Sequence, residues 1–464
     1  MVGSRGERIV SGLWTLAVSR IIFPLHERLK GHDSVSRLHA LEDSQWWTRE
    51  RLESDRMQRL RDFLCGIAAD VPYYRDAFAR LGLDPRGVSS TEDLARFPLL
   101  SKRDIRASLD NMRSERAGKL KRYNTGGSSG EPLTFYMGKD RISHDVAAKW
   151  RATRWWGVDV GDPEFVVWGS PVELGTQDRL RSVRDWLFRS ELLPAFEMSE
   201  TNLDRFVERI RVRRPTMLFG YPSSLSRIAE HARRRGVDLR GVGVLVAFVT
   251  SEKLYDHQRT TIEQAFGCPV ANGYGGRDAG FIAHQCPHGQ MHLSAEDIIV
   301  EVIDAEGRQL PPGQSGEIVV THLATFEFPF LRYRTGDVGT LSADPCTCGR
   351  GLPVLREIEG RSTDFVVAAD GTVMHGLALI YVLREAQGIE RFKIIQETRK
   401  HTRVLIVTGP GFSEKSREAI AAGLARRLGE GVRIDIDVVE GIAPEKSGKY
   451  RYVVSHVEAA SRHA

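Results

Sequence analysis

From Tyr123 to Pro132 the sequence reads Tyr-Asn-Thr-Gly-Gly-Ser-Ser-Gly-Glu-Pro. Gly126, Gly127 and Gly130 permit backbone angles and close approaches that other residues do not. Thr125, Ser128 and Ser129 add hydroxyl donors, and clustered backbone N–H groups in such a stretch can form a nest for an anion. The chemistry this suits is the holding of a phosphate chain. A Walker-type loop places a lysine after its last glycine. Here Glu131-Pro132 follow Gly130, so that class of loop is excluded. Taken alone, the segment reads equally well as an ordinary glycine-rich turn.

A second set of side chains has the composition of a metal site. Cys286-Pro287-His288-Gly289-Gln290-Met291-His292 supplies one part and Cys346-Thr347-Cys348 the other. Thiolates with one imidazole make a closed tetrahedral zinc site, which is usually structural. The set assigned is Cys286, His292, Cys346 and Cys348, with His288 competing with His292 for the nitrogen position. Free or buried thiols are the alternative, because CxC is less diagnostic than paired CxxC. No water-activating residue accompanies the set, which argues against a catalytic metal. No basic, aromatic-interleaved stripe surrounds it, which argues against a nucleic-acid module.

Four further motifs follow the glycine loop in order. They are Asn272-Gly273-Tyr274-Gly275-Gly276-Arg277-Asp278, Tyr333-Arg334-Thr335-Gly336-Asp337, Gly360-Arg361-Ser362-Thr363-Asp364 and Pro444-Glu445-Lys446-Ser447-Gly448-Lys449. With the loop, they resemble the signature motifs of the adenylate-forming superfamily of acyl-CoA synthetases and adenylation domains. The resemblance runs from about residue 60 to 455. It is strongest to the phenylacetate–CoA ligase family, and within it to the CapK-like branch found with polysaccharide biosynthesis. Phe23-Pro24-Leu25-His26-Glu27 and Val71-Pro72-Tyr73-Tyr74-Arg75 look like that branch.

The resemblance implies a two-step ligase. ATP and a carboxylic acid give an acyl-adenylate and pyrophosphate, and a nucleophile then displaces AMP. The first transition state gathers charge on phosphorus and needs cations and N–H donors aimed at it. By resemblance, Thr125, Gly126, Gly127, Ser128, Ser129 and Gly130 bind the β,γ-phosphates. Tyr274 and Gly275 line the adenine, with Tyr274 stacking on it. Asp337 accepts both ribose hydroxyls, and Arg361 adds a positive donor near ribose and phosphate. Lys449, on a mobile small domain, neutralises charge between the α-phosphate and the carboxylate and then withdraws. Lys446 is the alternative to it. Relatives place a glutamate ligand for Mg²⁺ where this chain has Asp278, a hard-oxygen ligand one methylene shorter. Relatives also place Asp or Lys at the hinge where this chain has Thr363. They often carry the zinc arrangement described above.

The expected cofactors are therefore ATP, Mg²⁺ and CoA, with a structural Zn²⁺. The expected partners are a small carboxylic acid and CoA, in polysaccharide or secondary-metabolite biosynthesis. An acceptor amine, hydroxyl or carrier protein keeps the first step and changes the second. An inactive scaffold of the same fold is a further reading, kept open by Asp278 and Thr363. The acid itself and the oligomeric state stay open, a homodimer being one option.

The elements that must position these residues can also be read. Residues 35–115 are expected to be mainly helical, with Leu52, Met57, Leu60 and Leu64 at helical spacing. Thr91–Leu94 starts a short helix, and Leu133–Tyr136 is a strand. Helices over 141–156, 201–213, 223–236 and 252–266 alternate with the apolar runs 165–168, 217–220 and 244–248. That alternation predicts buried parallel strands. Trp168-Gly169-Ser170-Pro171 and Phe219-Gly220-Tyr221-Pro222-Ser223 fall at strand ends, where α/β sites lie. Trp168 and Tyr221 there would clamp an acyl group or simply pack the core. Strands follow at Ile298–Ile303 and Glu317–Thr321. The last part is a smaller α+β unit, with strands at 403–407 and 432–438 and a helix at 413–428.

The predicted class is α/β: a large N-terminal adenylate-forming domain of mixed sheets and helices, with a small mobile C-terminal α+β domain. Its divisions are 1–115, a helical N-terminal region, 116–360, the adenylation core, and 361–464, the lid.

Composition agrees. A chain of 464 residues exceeds what one hydrophobic core supports, about 250–300 residues. A net charge of only +5 argues against a dedicated nucleic-acid binder. Five cysteines do not make a disulfide framework, which favours the cytoplasm. Residues 9–29 carry apolar groups among Arg5, Arg8 and Arg20, with no cleavage site after them. They are expected to form an amphipathic helix packed on the body, with peripheral membrane contact as the alternative.

Overall fold

The computed structural model describes residues 12–125, 133–168, 179–195, 198–361, 365–371, 373–443 and 451–457. The chain divides into two compact units. One comprises Met1–Thr335 with Gly339–Ile358, the other Gly336–Val338 with Glu359–Ala464.

The first unit opens with helices whose limits follow local chemistry. The helix Arg49–Asp70 starts where the Thr48 side chain accepts from the Arg51 N–H, and buries Leu52, Leu60, Phe63, Leu64 and Ile67 along one face. Val71 is extended because Pro72 follows it, and Pro72 begins the next helix, Pro72–Leu81. Thr91–Arg96 is a 3-10 turn rather than an α-helix, closed by a capping box between Ser90 and Asp93.

A hairpin of β1 (Lys121–Asn124) and β2 (Thr134–Met137) flanks the glycine loop. A parallel run follows: β3 (Glu164–Trp168), β4 (Ser190–Pro194), β5 (Met217–Gly220), β6 (Val246–Thr250) and β7 (Val270–Gly276). Helices Glu200–Arg213, Pro222–Arg234 and Asp256–Phe266 connect these strands, as right-twisted parallel strands require. β6 begins two residues later than its apolar run suggests. Gly243 turns at φ +94°, and Leu245, half-exposed, bonds its N–H to the Thr216 carbonyl ahead of the strand.

The antiparallel part comprises β8 (Gly280–Gln285), β9 (Met291–Leu293), β10 (Ile298–Ile303), β11 (Ser315–His322), β12 (Phe330–Leu341) and β13 (Val354–Arg361). All eleven strands form one sheet, in the order β10-β11-β12-β13-β9-β8-β7-β6-β5-β3-β4. The sheet changes from parallel to antiparallel at β7, between β6 and β8.

The second unit has a two-stranded piece, β14 (Phe365–Val367) and β15 (Val373–His375), beside a four-stranded sheet. The strands of that sheet are β16 (Ile389–Thr398), β17 (His401–Thr408), β18 (Arg433–Val438) and β19 (Val453–Ser455), in the order β18-β17-β16-β19. Helices Leu377–Glu385 and Glu414–Leu428 complete it. The α/β class with a smaller α+β unit is thus the observed one. Among the described residues no helix is long and apolar enough to cross a membrane.

Candidate active site

The motif Asn272–Asp278 lies where the sheet changes direction. β7 pairs with β6 in parallel through Asn272 and Gly273, and with β8 in antiparallel through Gly273–Gly276. A bulge falls between Tyr274 and Gly275, a device common next to active sites. Only glycine fits at Gly275, because a Cβ there would collide with the Gly280 carbonyl oxygen. The bulge leaves Tyr274 half-buried at the carboxyl end of β7. Arg277, Asp278 and Ala279 form the turn into β8.

This turn is held from three directions. Tyr333, fully buried at the motif on β12, donates its hydroxyl to Asp278 Oδ2 at 2.6 Å. Asp278 Oδ1 accepts the Ala279 N–H at 3.2 Å, so both carboxylate oxygens are oriented. From beneath, buried Arg141 donates to the Asp278 carbonyl at 3.3 Å and to the Arg277 carbonyl at 3.4 Å. Its Nε rests on Asp145 at 3.0 Å. Burial raises the Asp145 carboxyl, but Arg141 and His144 beside it outweigh that and hold it below the usual range.

The third connection reaches the glycine loop. Arg277 donates to the Asn124 carbonyl, at the end of β1, at 3.2 Å. Thr125 closes the base of that loop: its N–H bonds the Leu133 carbonyl and its hydroxyl accepts the Leu133 N–H, each at 2.9 Å. Gly126, Gly127, Ser128, Ser129 and Gly130 lie outside the described residues. The fold thus brings the base of the loop, the Tyr274–Asp278 turn and Tyr333 together within the first unit.

Tyr333 is itself placed by a pair that sequence reasoning did not single out. Arg332, at φ +47°, is buried and contacts both oxygens of buried Glu301 at 2.9–3.1 Å. It also donates to the Phe97 carbonyl at 2.8 Å. The Arg332 carbonyl accepts the Leu100 N–H, and the Arg334 N–H bonds the Leu100 carbonyl, each at 2.9 Å. The signal was present: Glu301 is the one charge within the apolar run Ile298–Ile303, and a buried charge requires a partner.

Asp337 lies on β12, half-buried, and Arg361 is the last residue of β13. Thr363, Lys446 and Lys449 lie outside the described residues. At the ends of β3 and β5, Trp168 stacks on Tyr221 with ring centroids 4.4 Å apart. Tyr221 is buried in the core and Trp168 half-buried over it, so Trp168 is the more accessible of the two.

The four zinc candidates converge in the first unit. Cys286, His292, Cys346 and Cys348 place their ligand atoms within 4.8 Å of one another. Cys286 Sγ lies 3.8 Å from Cys346 Sγ, and Cys348 Sγ lies 3.2 Å from His292 Nε2. His292 Nδ1 donates to the Leu352 carbonyl at 3.2 Å, which leaves the Nε2 lone pair facing the thiols. Burial pushes the His292 imidazole down to about 4, the neutral form a metal needs. The Cys348 N–H points at Cys346 Sγ at 3.4 Å. His288 is exposed and bonds Thr347 Oγ1 instead, which removes it as the nitrogen ligand. The donor set fits a tetrahedral zinc.

A further buried group, His144, Asp145 and His322, also draws together. Here the Arg141 guanidinium on Asp145 already supplies the positive charge, so the group reads as packing behind the Arg277–Asp278 turn.

The chain is similar to several known proteins. Residues 192–327 match the family described as AMP-binding enzyme, and residues 366–456 that described as CapK C-terminal domain. The chain is 22% identical over 408 residues to Protein CapK of Staphylococcus aureus, covering 86% of this chain and 88% of that one. It is 25% identical over 439 residues to phenylacetate-coenzyme A ligase of Thermus thermophilus, covering 88% and 97%. A crystal structure of 2-hydroxyisobutyryl-CoA ligase in the postadenylation state superposes with a TM-score of 0.72 at 21% identity, covering 89% and 91%. The chain thus matches the AMP-binding enzyme and CapK C-terminal models in its two parts and is similar along most of its length to Protein CapK and to phenylacetate-coenzyme A ligases, members of the adenylate-forming superfamily.

Proposed function

We propose that the chain is an AMP-forming acid–CoA ligase. A carboxylate oxygen attacks the α-phosphorus of ATP and pyrophosphate leaves. The sulfur of CoA then attacks the acyl carbon and AMP leaves. The observation that carries this reading is the junction of Asp278, Tyr333 and the Asn124–Thr125 loop base at the sheet's switch point, where α/β folds bind nucleotides.

In this reading Thr125–Gly130 hold the phosphates, Tyr274 stacks on adenine, and Gly275 keeps the approach open. Asp337 takes the ribose hydroxyls and Arg361 adds positive charge near ribose and phosphate. Asp278 would hold Mg²⁺, which offsets phosphate charge when bound. Trp168 borders the acyl pocket, with Tyr221 behind it. Cys286, His292, Cys346 and Cys348 would hold a structural zinc. Five thiols without a disulfide suit the cytoplasm.

The test is a panel of carboxylic acids read by ATP–pyrophosphate exchange, followed by addition of CoA. Exchange with one acid class and a thioester on adding CoA is the expected result. AMP release without thioester would move the acceptor to an amine, hydroxyl or carrier protein, and no exchange with any acid would sink the adenylation step. Lys449→Ala is expected to abolish exchange while still consuming a supplied acyl-adenylate, and unchanged exchange would remove Lys449 from the first step.

A further inference from the structure

Residues 12–29 form one helical stretch with a π turn at Val18–Ile22 in its middle. Its inner face packs on the body. Val18 and Phe23 are buried with Leu38, Leu41, Ala147 and Trp150. A surface helix ordinarily presents polar groups on its other face. This one presents Leu13, Leu16, Ile21, Leu25 and Leu29, each between 54% and 80% exposed.

The row is aligned by the π turn. Leu13 to Leu16 and Ile21 to Leu25 to Leu29 are ordinary helical steps, but Leu16 to Ile21 is five residues. In a plain α-helix that step would carry Ile21 round the axis. A π turn absorbs the extra residue, and the buried face makes the same five-residue step from Val18 to Phe23.

A second helix widens the patch. Trp14 donates its indole N–H to the Leu187 carbonyl at 3.1 Å, and its ring meets Trp186 edge-on at 6.1 Å. Trp186 is 69% exposed and Val183 beside it 55%.

Within residues 12–29 the exposed charges have one sign, and Asp185, beside Trp186, is paired with Arg184. Glu27 is the only acid in residues 12–29 and is buried against Ser34 and His32. Arg20 and Arg28 are exposed and have no acidic partner among the described residues. An aliphatic row, a tryptophan at its edge and unpaired arginines beside it are what an anionic bilayer surface accepts. The apolar groups enter the headgroup boundary and the guanidinium groups meet phosphate.

We propose that the outer face of residues 12–29, with Val183 and Trp186, is a peripheral docking surface for an anionic lipid bilayer. It rests on nothing in the ligase reading.

The test is co-sedimentation of the full chain with vesicles of phosphatidylcholine alone or of phosphatidylcholine mixed equally with phosphatidylglycerol. The wild-type protein is expected to sediment with the anionic vesicles and to be released as salt rises. The Leu16→Glu/Ile21→Glu/Leu25→Glu variant is expected to bind them at least about tenfold more weakly. Arg20→Glu/Arg28→Glu is expected to do the same. These side chains are exposed, so thermal stability and solution activity should not change. Wild-type protein left in the supernatant with both vesicles would overturn the proposal, as would undiminished binding by the triple variant. A wild-type dimer that the triple variant converts to monomer, without vesicle binding, would also overturn it and make the face a self-association surface.

Discussion

Asp278 stands where the family resemblance implies a glutamate one methylene longer, and in the structure its carboxylate is held at both oxygens. Tyr333 donates to one oxygen and the Ala279 N–H to the other. A carboxylate fixed in one orientation loses little freedom when it takes a ligand. Tyr333→Phe keeps the ring in its packing and removes the donor. It should slow ATP–pyrophosphate exchange about tenfold and raise the Mg²⁺ concentration needed. Asp278→Asn keeps the shape and removes the charge, and should cost about a hundredfold or more. Exchange rates that match wild type across a Mg²⁺ titration in both variants would take Asp278 out of metal binding.

His322, behind the same turn, carries a pH consequence. Complete burial, and then the Arg141 charge beside it, hold its imidazole well below the ordinary 6.5. The folded protein therefore keeps His322 neutral while the unfolded chain takes up a proton below about pH 6.5. Where the unfolded state binds more protons, stability rises with pH. The contribution is complete above that value and is lost progressively as pH falls toward the depressed folded value. Urea midpoints should fall between about pH 7 and pH 5 in the wild type, and more gently in His322→Gln. Parallel pH profiles for the two proteins would refute the assignment.

The elements differ in how legible they were. The parallel strands announce themselves as short apolar runs between helices, because strands covered on both faces have no polar side to show. β16 carried no such signal, since Arg391, Lys393 and Gln396 interrupt its apolar residues. The bulge at Tyr274 could not be read either, as it depends on where β8 returns. Glu301 was visible as a charge in an apolar strand, but its partner Arg332 lies on a strand paired only through the folded sheet. That pair sets the backbone just before Tyr333, so its loss should reach both stability and the site. Removing one member of a buried ion pair strands the other, at about 3–5 kcal/mol. Glu301→Ala should show that loss in urea unfolding together with weaker exchange. Glu301→Leu/Arg332→Met, which removes both charges, should recover much of the stability. A double variant less stable than the single one would mean the pair is not the anchor.

At the scale of the first unit, the cysteine–histidine cluster joins parts far apart in sequence. Arg350, two residues past Cys348, lies over the rings of Trp46 and Trp155 at 4.9 and 4.5 Å. Gln45 accepts from the Trp155 indole at 2.7 Å and from Arg350 at 3.2 Å, and the Gln45 carbonyl takes the Gly351 N–H. Trp155 in turn meets the His292 ring edge-on. The end of the helix Ser34–Ser44 is thereby clamped to the loop that carries two of the thiols. The ligand types could be read from the sequence, but the choice of His292 over His288 could not. It depends on the register of β9 against β13, in which His292 stands opposite Val354. If the cluster holds zinc, metal analysis should find about one zinc per chain, retained in His288→Ala and lost in His292→Ala. Binding to the folded state alone adds about 4 kcal/mol when free zinc stands near a thousand times Kd, so chelation should lower the melting temperature. Because the clamp runs through Gln45 and Trp46, the chelated protein should also become open to proteolysis near residue 45 before the rest of the first unit unfolds. Full zinc in His292→Ala, or a chelated protein with unchanged melting and cleavage, would show that the cluster is packed thiols and that the clamp stands without a metal.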